Sequence, residues 1–222
     1  MKENEKPYII LNAAMTIDGK IASKMGDSDL SDEQDWKAVH QLRSEVDAIM
    51  VGKGTILKDN PKLHIKFYNH NYYRIVVDSN LSIPIDSNVI TFKPNMYPTI
   101  ICTTENISRE KLDEFESKGV KILKVGLGTQ VNLSSLMKRL VRLGISKILL
   151  EGGGTLNWSF IEKDLIDEIR LTIAPWIVGG KDAITLVEGK GFENMMQAKS
   201  FKLEGVDNRN NYVILKYFRE EL

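Results

Sequence analysis

The sequence has few of the residues that build cross-linked or metal-bound proteins. Cys102 is the only cysteine among 222 residues, so neither a disulfide within the chain nor a cysteine-based zinc cluster can form. The three histidines, His40, His64 and His70, do not have the spacing of metal ligands. We therefore expect no metal site.

Excess charge of one sign and long apolar runs are also lacking. Thirty basic residues balance thirty acidic ones, which leaves no electrostatic footprint for nucleic acid or an anionic membrane. No apolar run approaches the length that spans a bilayer, and the charged N-terminus lacks the apolar core of a secretory signal. We expect a cytoplasmic protein with neither a membrane nor a nucleic-acid partner.

What the sequence does contain is an alternation of apolar strands with helices. With 42% hydrophobic residues, the chain can bury a substantial core. The alternation predicts an α/β fold: a mixed, mostly parallel sheet with helices on both faces and a C-terminal antiparallel hairpin. Since no linker or repeat interrupts it, we predict a single domain, 1–222, with a core of about 7–219. The predicted strands cover residues 8–15, 47–52, 74–78, 99–103, 120–125, 148–150, 168–174, 201–205 and 212–218.

Start and stop signals place the helices. Ser31 is predicted to cap one, with Gln34 completing a capping box. Ser108 is predicted to cap a second, which ends at Gly119 in a left-handed residue. A third helix shows apolar residues at helical spacing from Leu133 to Val141 and ends at Gly144. A turn of composition Asp-Asn-Arg-Asn-Asn, 207–211, separates the last two strands.

The stretch KILLEGGGTLNW, 147–158, carries the strongest chemical signal. An apolar strand ends in Glu151 and three glycines, and a helix then begins near Thr155. Bare backbone N–H groups at the positive end of a helix attract phosphate, which predicts a nucleotide or sugar-phosphate site beside a carboxylate. The same glycines would also serve a tight strand-to-helix turn, and their spacing is not that of the common dinucleotide fingerprint. Both interpretations stay open.

Polar residues also follow three other strands, where ligands of α/β sheets collect. Asp18 and Gly19 follow the first strand, but they are also a favoured turn pair. Asp59 precedes Asn60-Pro61 and fits a turn as well. Asp78 ends the third strand, where it would either reach a ribose hydroxyl or cap its own loop.

Four blocks of sequence resemble a known family when they are taken in order. They are AAMTIDGKIA, LRSEVDAIMVGKGTILKDNPKL, RIVVDS and ILLEGGGTLNW. The chain is similar to the reductases of riboflavin biosynthesis, above all to the stand-alone archaeal type that acts on 2,5-diamino-6-ribosylamino-4(3H)-pyrimidinone 5′-phosphate. It also resembles the C-terminal reductase domain of the bacterial bifunctional deaminase-reductase.

This resemblance implies a dihydrofolate reductase-like fold, a homodimer, NADPH as cofactor and a phosphorylated pyrimidine as substrate. The positions that match the family's cofactor contacts are Ala14, Leu30, Thr55, Asp59, Ser79, Gly153, Gly154, Thr155, Leu156 and Asn157, the last five at the phosphates. Those that match its substrate contacts are Ser28, Arg43, Leu63, Lys66 and Glu151, with Arg43 and Lys66 as partners for the 5′-phosphate. Asn12 falls at the floor of the same pocket, where some bacterial relatives carry lysine.

The chemistry that the resemblance implies is hydride transfer to the anomeric carbon of the ring-opened ribosylamino group, which gives the ribitylamino chain. The imine accepts hydride more readily when it is protonated, so a nearby carboxylate helps. Glu151 is the predicted catalytic residue, which orients the substrate or stabilises the iminium.

Two features of this sequence depart from the family pattern. Relatives commonly carry a basic residue shortly after the VVDS segment, whereas this chain has Asn80-Leu81-Ser82, so NADH is possible beside NADPH. The zinc signature of the deaminase is also missing from the sequence, so we expect the reductase activity alone.

Two other functions remain as alternatives. One is a dihydrofolate reductase-like pterin reductase, against which the four sequence blocks argue. The other is a non-catalytic nucleotide-binding module, which would need the glycine turn but neither Glu151 nor Arg43.

Overall fold

The computed structural model describes residues 6–68 and 70–220. The chain divides into two compact units, of which the first comprises Met1–Tyr8 and His40–Leu149 and the second Ile9–Val39 and Leu150–Leu222. The single domain that the sequence predicts, 1–222, stays a prediction, and both of its ends and Asn69 lie outside the described residues.

Strands and helices alternate along most of the chain. The strands are β1 (Tyr8–Thr16), β2 (Ala48–Gly52), β3 (Tyr73–Val77), β4 (Thr99–Thr103), β5 (Lys121–Lys124), β6 (Lys147–Leu150), β7 (Glu168–Ala174), β8 (Phe201–Arg209) and β9 (Tyr212–Arg219). The helices are α1 (Glu33–Arg43), α2 (Lys53–Asp59), α3 (Asn88–Thr91), α4 (Arg109–Glu116), α5 (Leu133–Arg142) and α6 (Gly154–Glu162), with a 3₁₀ turn at Met195–Gln197.

The first unit is built on parallel strands. β2 pairs with β3, β3 with β4 and β4 with β5, all in parallel. β4 is buried at every position and β2 at all but its last, which explains their nearly continuous apolar sequences. The strand signal in the sequence therefore came from burial on both faces.

The helices of this unit follow the start and stop signals that the sequence contains. Ser108 caps α4 by accepting a hydrogen bond from the Lys111 backbone N–H, and Gly119 has a positive φ of 77°. α5 buries its apolar stripe, and Gly144 after it has a φ of 80°. The Ser108 cap, the left-handed Gly119 and the end of α5 before Gly144 are confirmed, whereas α4 itself ends at Glu116, before the predicted Gly119.

The second unit combines a parallel pair with an antiparallel hairpin. β1 pairs in parallel with β7, while β7–β9 and β8–β9 are antiparallel. Counting both units, four of these pairings are parallel and two antiparallel, so the predicted mixed, mostly parallel α/β architecture is confirmed. The predicted five-residue turn is too wide, because β8 continues to Arg209 and only Asn210 and Asn211 connect the strands. Asn210 takes the left-handed conformation that such a tight turn needs.

The predicted cap of α1 is wrong by one residue. Asp32, not Ser31, accepts the hydrogen bond from the Asp35 N–H, at 2.8 Å. A carboxylate at this position caps the helix directly and also suits its positive end. Ser31 instead donates its hydroxyl to the buried Asp35 carboxylate, which accepts a second hydroxyl from Thr172 at 2.6 Å.

Two features are absent from residues 6–68 and 70–220. None of their helices combines the length and apolar character required to cross a membrane. No group of three or more histidine, cysteine or acidic side chains among them is arranged to hold a metal ion. Cys102 is a buried thiol in β4 whose pKa is raised far above its usual range by burial.

Candidate active site

The glycine turn and α6, both in the second unit, form an open helix N-terminus. Gly153 is the N-cap residue and has no side chain to bond the first turn. In the described part of the chain, no acceptor bonds the backbone N–H groups of Gly154, Thr155 and Leu156. Three unpaired amides at the positive end of a helix are a donor set that fits phosphate oxygens.

The segment 185–188 packs against this turn so closely that only glycine fits at position 154. The Gly154 carbonyl accepts a hydrogen bond from the Glu188 N–H at 3.0 Å. A Cβ on Gly154 would lie 2.6 Å from the Thr185 carbonyl oxygen and 2.8 Å from Glu188 Cγ. The glycine is therefore required by close approach of backbone, as well as by the turn.

Asn157 secures the same region from inside. Its side chain is fully buried, and its Nδ2 donates to the Leu186 carbonyl at 2.8 Å. Within residues 6–68 and 70–220, its Oδ1 has no hydrogen-bond donor, although an amide oxygen this deeply buried normally has one. A Cβ on Gly152 would meet the Asn157 amide at 3.4 Å. Asn157 thus holds the glycine turn and carries one acceptor that a ligand donor would satisfy.

The remaining predicted site residues of the second unit lie on β1, after β6 and in the connection to α1. Glu151 is half-buried and directly follows β6. Asn12 and Ala14, two residues apart on β1, point to the same face of the strand, opposite Arg170 and Thr172 of β7. Leu30 is part of the buried core, whereas Ser28 is exposed.

In the first unit, the structure brings Arg43 to the segment that carries Leu63 and Lys66. Arg43 is buried, and its Nη1 donates to the His64 carbonyl at 2.9 Å. Leu63 is buried with a positive φ of 44°, and Lys66 is exposed. Arg43 therefore organises this segment, a role that the sequence did not indicate.

The same segment lies in a cationic environment. Burial lowers the pKa of His64, and the charges of Arg43, Lys66, Lys62 and Lys93 lower it further. Four positively charged side chains therefore act on the His64 ring, in addition to its burial. Such a surrounding favours an anion, since a bound phosphate would relieve the repulsion among these groups.

Of the two roles that the sequence left open for Asp78, the structure shows the cap of its own loop, residues 79–83. Its carboxylate, which is fully buried, accepts hydrogen bonds from the backbone N–H groups of Asn80, Ser82 and Ile83 and from the Ser82 hydroxyl. No acceptor capacity is left over for a ribose, so the alternative role is unnecessary.

Asp18 likewise ties two loops together. It accepts from the Thr16 hydroxyl at 2.6 Å and from the backbone N–H groups of Val178 and Gly179. The hydroxyl is the main cause that lowers the pKa of Asp18 to about 2. Gly19 follows with a φ of 77°, which is the turn conformation expected of an Asp-Gly pair.

Two lysines that sequence reasoning missed reach the turn after β3. Lys111 Nζ donates to the Asn80 carbonyl at 3.1 Å, and Lys53 Nζ approaches the Ser82 hydroxyl at 3.5 Å. This turn begins at Ser79, which is half-buried and accepts the Val131 N–H at its hydroxyl. No sequence signal marked the lysines because they lie some thirty residues away on either side.

The other two predicted residues of the first unit lie on α2. Thr55 is half-buried in its first turn, and Asp59 is its last residue and exposed. Asn60 follows with a φ of 40° and closes the helix by donating its N–H to the Ile56 carbonyl.

Comparison with known proteins identifies close relatives over nearly the whole chain. The model of the RibD C-terminal domain family matches residues 7–215. A Methanothermobacter thermautotrophicus protein named 2,5-diamino-6-ribosylamino-4(3H)-pyrimidinone 5′-phosphate reductase is 41% identical over 217 residues, which cover 96% of this chain and 98% of that one. A riboflavin biosynthesis protein RibD of Actinobacillus pleuropneumoniae is 35% identical over 97% of this chain, but the match spans only 57% of that protein.

Solved structures resemble the fold. RibD of Acinetobacter baumannii matches with a TM-score of 0.81 and 23% identity over 97% of this chain and 58% of that one. The Saccharomyces cerevisiae riboflavin biosynthesis reductase Rib7 matches with a TM-score of 0.73 and 20% identity over 98% and 92%. These likenesses confirm the predicted dihydrofolate reductase-like α/β fold.

Proposed function

Because the chain belongs to the RibD C-terminal domain family, we propose that it reduces 2,5-diamino-6-ribosylamino-4(3H)-pyrimidinone 5′-phosphate with NADPH. The chain is an oxidoreductase of riboflavin biosynthesis that acts on a phosphorylated pyrimidine. Its 41% identity with the named reductase, over almost the full length of both proteins, carries this conclusion.

The residues of the second unit fit a nicotinamide cofactor. The three unpaired amides of α6 are suited to its phosphates. The buried Asn157 Oδ1 can accept a hydrogen bond from a ligand donor. When bound, the cofactor supplies a hydride to the anomeric carbon of the opened ribosylamino group while the adjacent nitrogen gains a proton. We assign the predicted contacts Ala14, Leu30 and 153–157 of this unit, with Thr55, Asp59 and Ser79 of the first, to cofactor binding.

The substrate is proposed to be held mainly by charge and by one carboxylate. Lys66, like Lys62, is an exposed cation of a segment in which burial and then positive charges lower the pKa of His64, which supports a role of Lys66 in binding the 5′-phosphate. Arg43 fixes that segment and adds to the same positive field. Glu151 orients the ribosylamino nitrogen and stabilises its protonated form, with Asn12, Ser28 and Leu63 as further contacts.

Lys53 and Lys111 support NADPH rather than NADH. The residues that follow Ser79 carry no positive charge, but these two ammonium groups reach the turn that Ser79 begins. They are therefore suited to the additional 2′-phosphate of NADPH.

Mixing the protein with NADPH and the ribosylamino-pyrimidinone phosphate, while nicotinamide absorbance is followed, tests the function. We expect oxidation that depends on this substrate and not on dihydrofolate. The deaminated pyrimidine phosphate, used as a third substrate, decides whether reduction precedes deamination. Cofactor binding without oxidation by any of the three would contradict the proposal and favour a non-catalytic module.

Assembly and location also belong to the proposal. Leu203 and Val206 on β8 are exposed apolar side chains. Because such side chains favour burial in an interface, they support a homodimer through the β8–β9 hairpin. Sedimentation equilibrium that finds only monomers at assay concentration would exclude it. The cytoplasmic location is to be tested by cell fractionation.

A further inference from the structure

Residues 62–66, called here the 62–66 segment, form neither helix nor strand, yet their backbone is fastened at successive positions. Four consecutive carbonyl oxygens each accept a hydrogen bond from a different side chain. The pairs are Lys62 with Arg74 Nη1 at 3.2 Å, Leu63 with Tyr72 Oη at 2.5 Å, His64 with Arg43 Nη1 at 2.9 Å and Ile65 with Tyr97 Oη at 3.4 Å.

This arrangement replaces the hydrogen bonds that regular structure would supply. Leu63 and Ile65 are buried, so their carbonyl oxygens would lose water without gaining a partner if the tyrosines were absent. Leu63 also has a positive φ of 44°, a conformation that a leucine keeps only when its surroundings impose it. The four bonds fix the backbone from Lys62 to the peptide bond that joins Ile65 to Lys66.

Arg74 makes the largest number of these hydrogen bonds, both to the 62–66 segment and to the residues around it. Its side chain is fully buried, and its guanidinium donates to the carbonyls of Asn88, Phe92 and Tyr97 as well as to that of Lys62. Its Cζ lies 5.8 Å from the centre of the Tyr97 ring. Arg74 therefore bonds the segment directly and also holds Tyr97, which bonds the segment in turn.

The His64 side chain is fixed as well. Its ring meets His40 and Phe92 edge-on, at centroid distances of 5.9 and 5.4 Å. Residues distant in sequence thus fix both the backbone of the 62–66 segment and the His64 ring at its middle. A surface loop that served only as a connection would not need this number of bonds from buried side chains.

We propose that Tyr72, Arg74 and Tyr97 are positioning residues for the reductase reaction. They hold the 62–66 segment in the one backbone geometry in which Leu63 and Lys66 meet the phosphorylated pyrimidine, and they touch neither substrate nor cofactor. The inference rests on the proposed function, since that function assigns Leu63 and Lys66 to the substrate.

Tyr72→Phe is the sharpest test, because it removes one hydroxyl donor and leaves the ring in place. Its matched control is Tyr73→Phe, at the neighbouring tyrosine on β3, whose hydroxyl makes no bond to the segment. We expect Tyr72→Phe to raise the KM for the pyrimidine phosphate about three- to tenfold, the effect of one hydrogen bond. The KM for NADPH and kcat at saturating substrate should stay within about twofold of wild type, within the usual scatter of such differences.

A second measurement, independent of activity, is amide hydrogen exchange across residues 62–66 in the free protein. Faster exchange there in Tyr72→Phe, but not in Tyr73→Phe, is expected. Tyr97→Phe should behave as Tyr72→Phe does, more weakly since its bond is longer. Arg74→Lys, which keeps the charge but not the fork of donors, should show the largest change of the three.

The outcomes separate the two proposals. If wild type fails to oxidise NADPH with the pyrimidine phosphate, the proposed function fails. If wild type is active but Tyr72→Phe matches Tyr73→Phe in both KM and exchange, the positioning role is wrong. Loosened exchange with an unchanged substrate KM, or equal changes in both KM values and kcat, also overturns it, because the hydroxyl would then serve only the fold.

Discussion

At Gly154 the chain has no room for a methyl group. Gly154→Ala would place a Cβ 2.6 Å from the Thr185 carbonyl oxygen, and backbone cannot yield as the end of a flexible side chain can. We expect a loss of about 1–3 kcal/mol in the free energy of unfolding, typical of overpacking. NADPH should also bind more weakly, because any shift of the turn moves the amides of α6.

Gly128→Ala is the matched control for that variant. A Cβ at Gly128 would meet nothing within 4 Å, and its φ is not positive. Urea denaturation and NADPH titration should therefore give wild-type values for Gly128→Ala. Equal values for Gly154→Ala would mean that the Thr185 segment moves freely away from the turn.

Glu151 is the residue on which the proposed chemistry depends. Glu151→Ala removes the half-buried carboxylate after β6 and leaves the glycine turn intact. Because a positioned acid–base group contributes about 10²–10⁴-fold to rate, we expect kcat to fall by that order. Binding of NADPH, measured by fluorescence titration, should change less than about twofold, within the usual scatter. Unchanged turnover would remove Glu151 from the mechanism.

At the scale of elements, helix termini differ in how well their caps are formed. Asn132 Oδ1 accepts the Ser135 N–H of α5 at 2.9 Å, whereas Ser108 Oγ accepts the Lys111 N–H of α4 at 3.4 Å. We expect Asn132→Ala to cost about 1 kcal/mol of unfolding free energy and Ser108→Ala clearly less, because the longer bond is weaker. Urea denaturation measures both.

Ser134→Ala serves as the comparison within α5. Ser134 is exposed and its hydroxyl caps nothing, so alanine, with its better helix propensity, should leave stability equal or slightly higher. If Asn132→Ala were as stable as Ser134→Ala, the cap on α5 would contribute nothing to the free energy of unfolding.

The elements themselves were largely predictable because their signals are local. α5 shows its buried stripe in the spacing of Leu133, Leu136 and Leu140, and β4 shows its burial in an apolar run. α3, only four residues long, has no such periodicity and was missed. The cap of α1 was misplaced because Ser31 and Asp32 are both good caps in sequence, and only the fold engages the serine with Asp35.

The site was predictable only where the sequence itself carries the geometry. The glycine turn is contiguous, so its open amides follow from residues 152–156 alone. The fastening of the 62–66 segment brings together side chains up to 32 residues apart, and a buried arginine in a strand gives no sign of which carbonyls it meets. Lys53 and Lys111 were missed for the same reason.

At the scale of the whole molecule, cofactor choice can be observed as stability. A ligand that binds only the folded state adds RT ln(1 + [L]/Kd) to the unfolding free energy, or about 1.4 kcal/mol for each tenfold gain in affinity at saturation. If Lys53 and Lys111 meet the 2′-phosphate, NADPH should raise the unfolding temperature more than NADH at equal concentration. The difference between the two cofactors, measured by calorimetry, reports the 2′-phosphate alone.

Replacing both lysines should abolish that difference. In Lys53→Ala/Lys111→Ala, the shift with NADPH is expected to fall to that with NADH, while the NADH shift itself stays unchanged, because NADH lacks the group that the lysines would contact. Lys118→Ala, at an exposed lysine without an assigned contact, should keep the wild-type preference and controls for the loss of a lysine charge elsewhere in the chain. A double variant that still favours NADPH would show that discrimination lies elsewhere, and equal shifts already in wild type would mean that the chain accepts both cofactors.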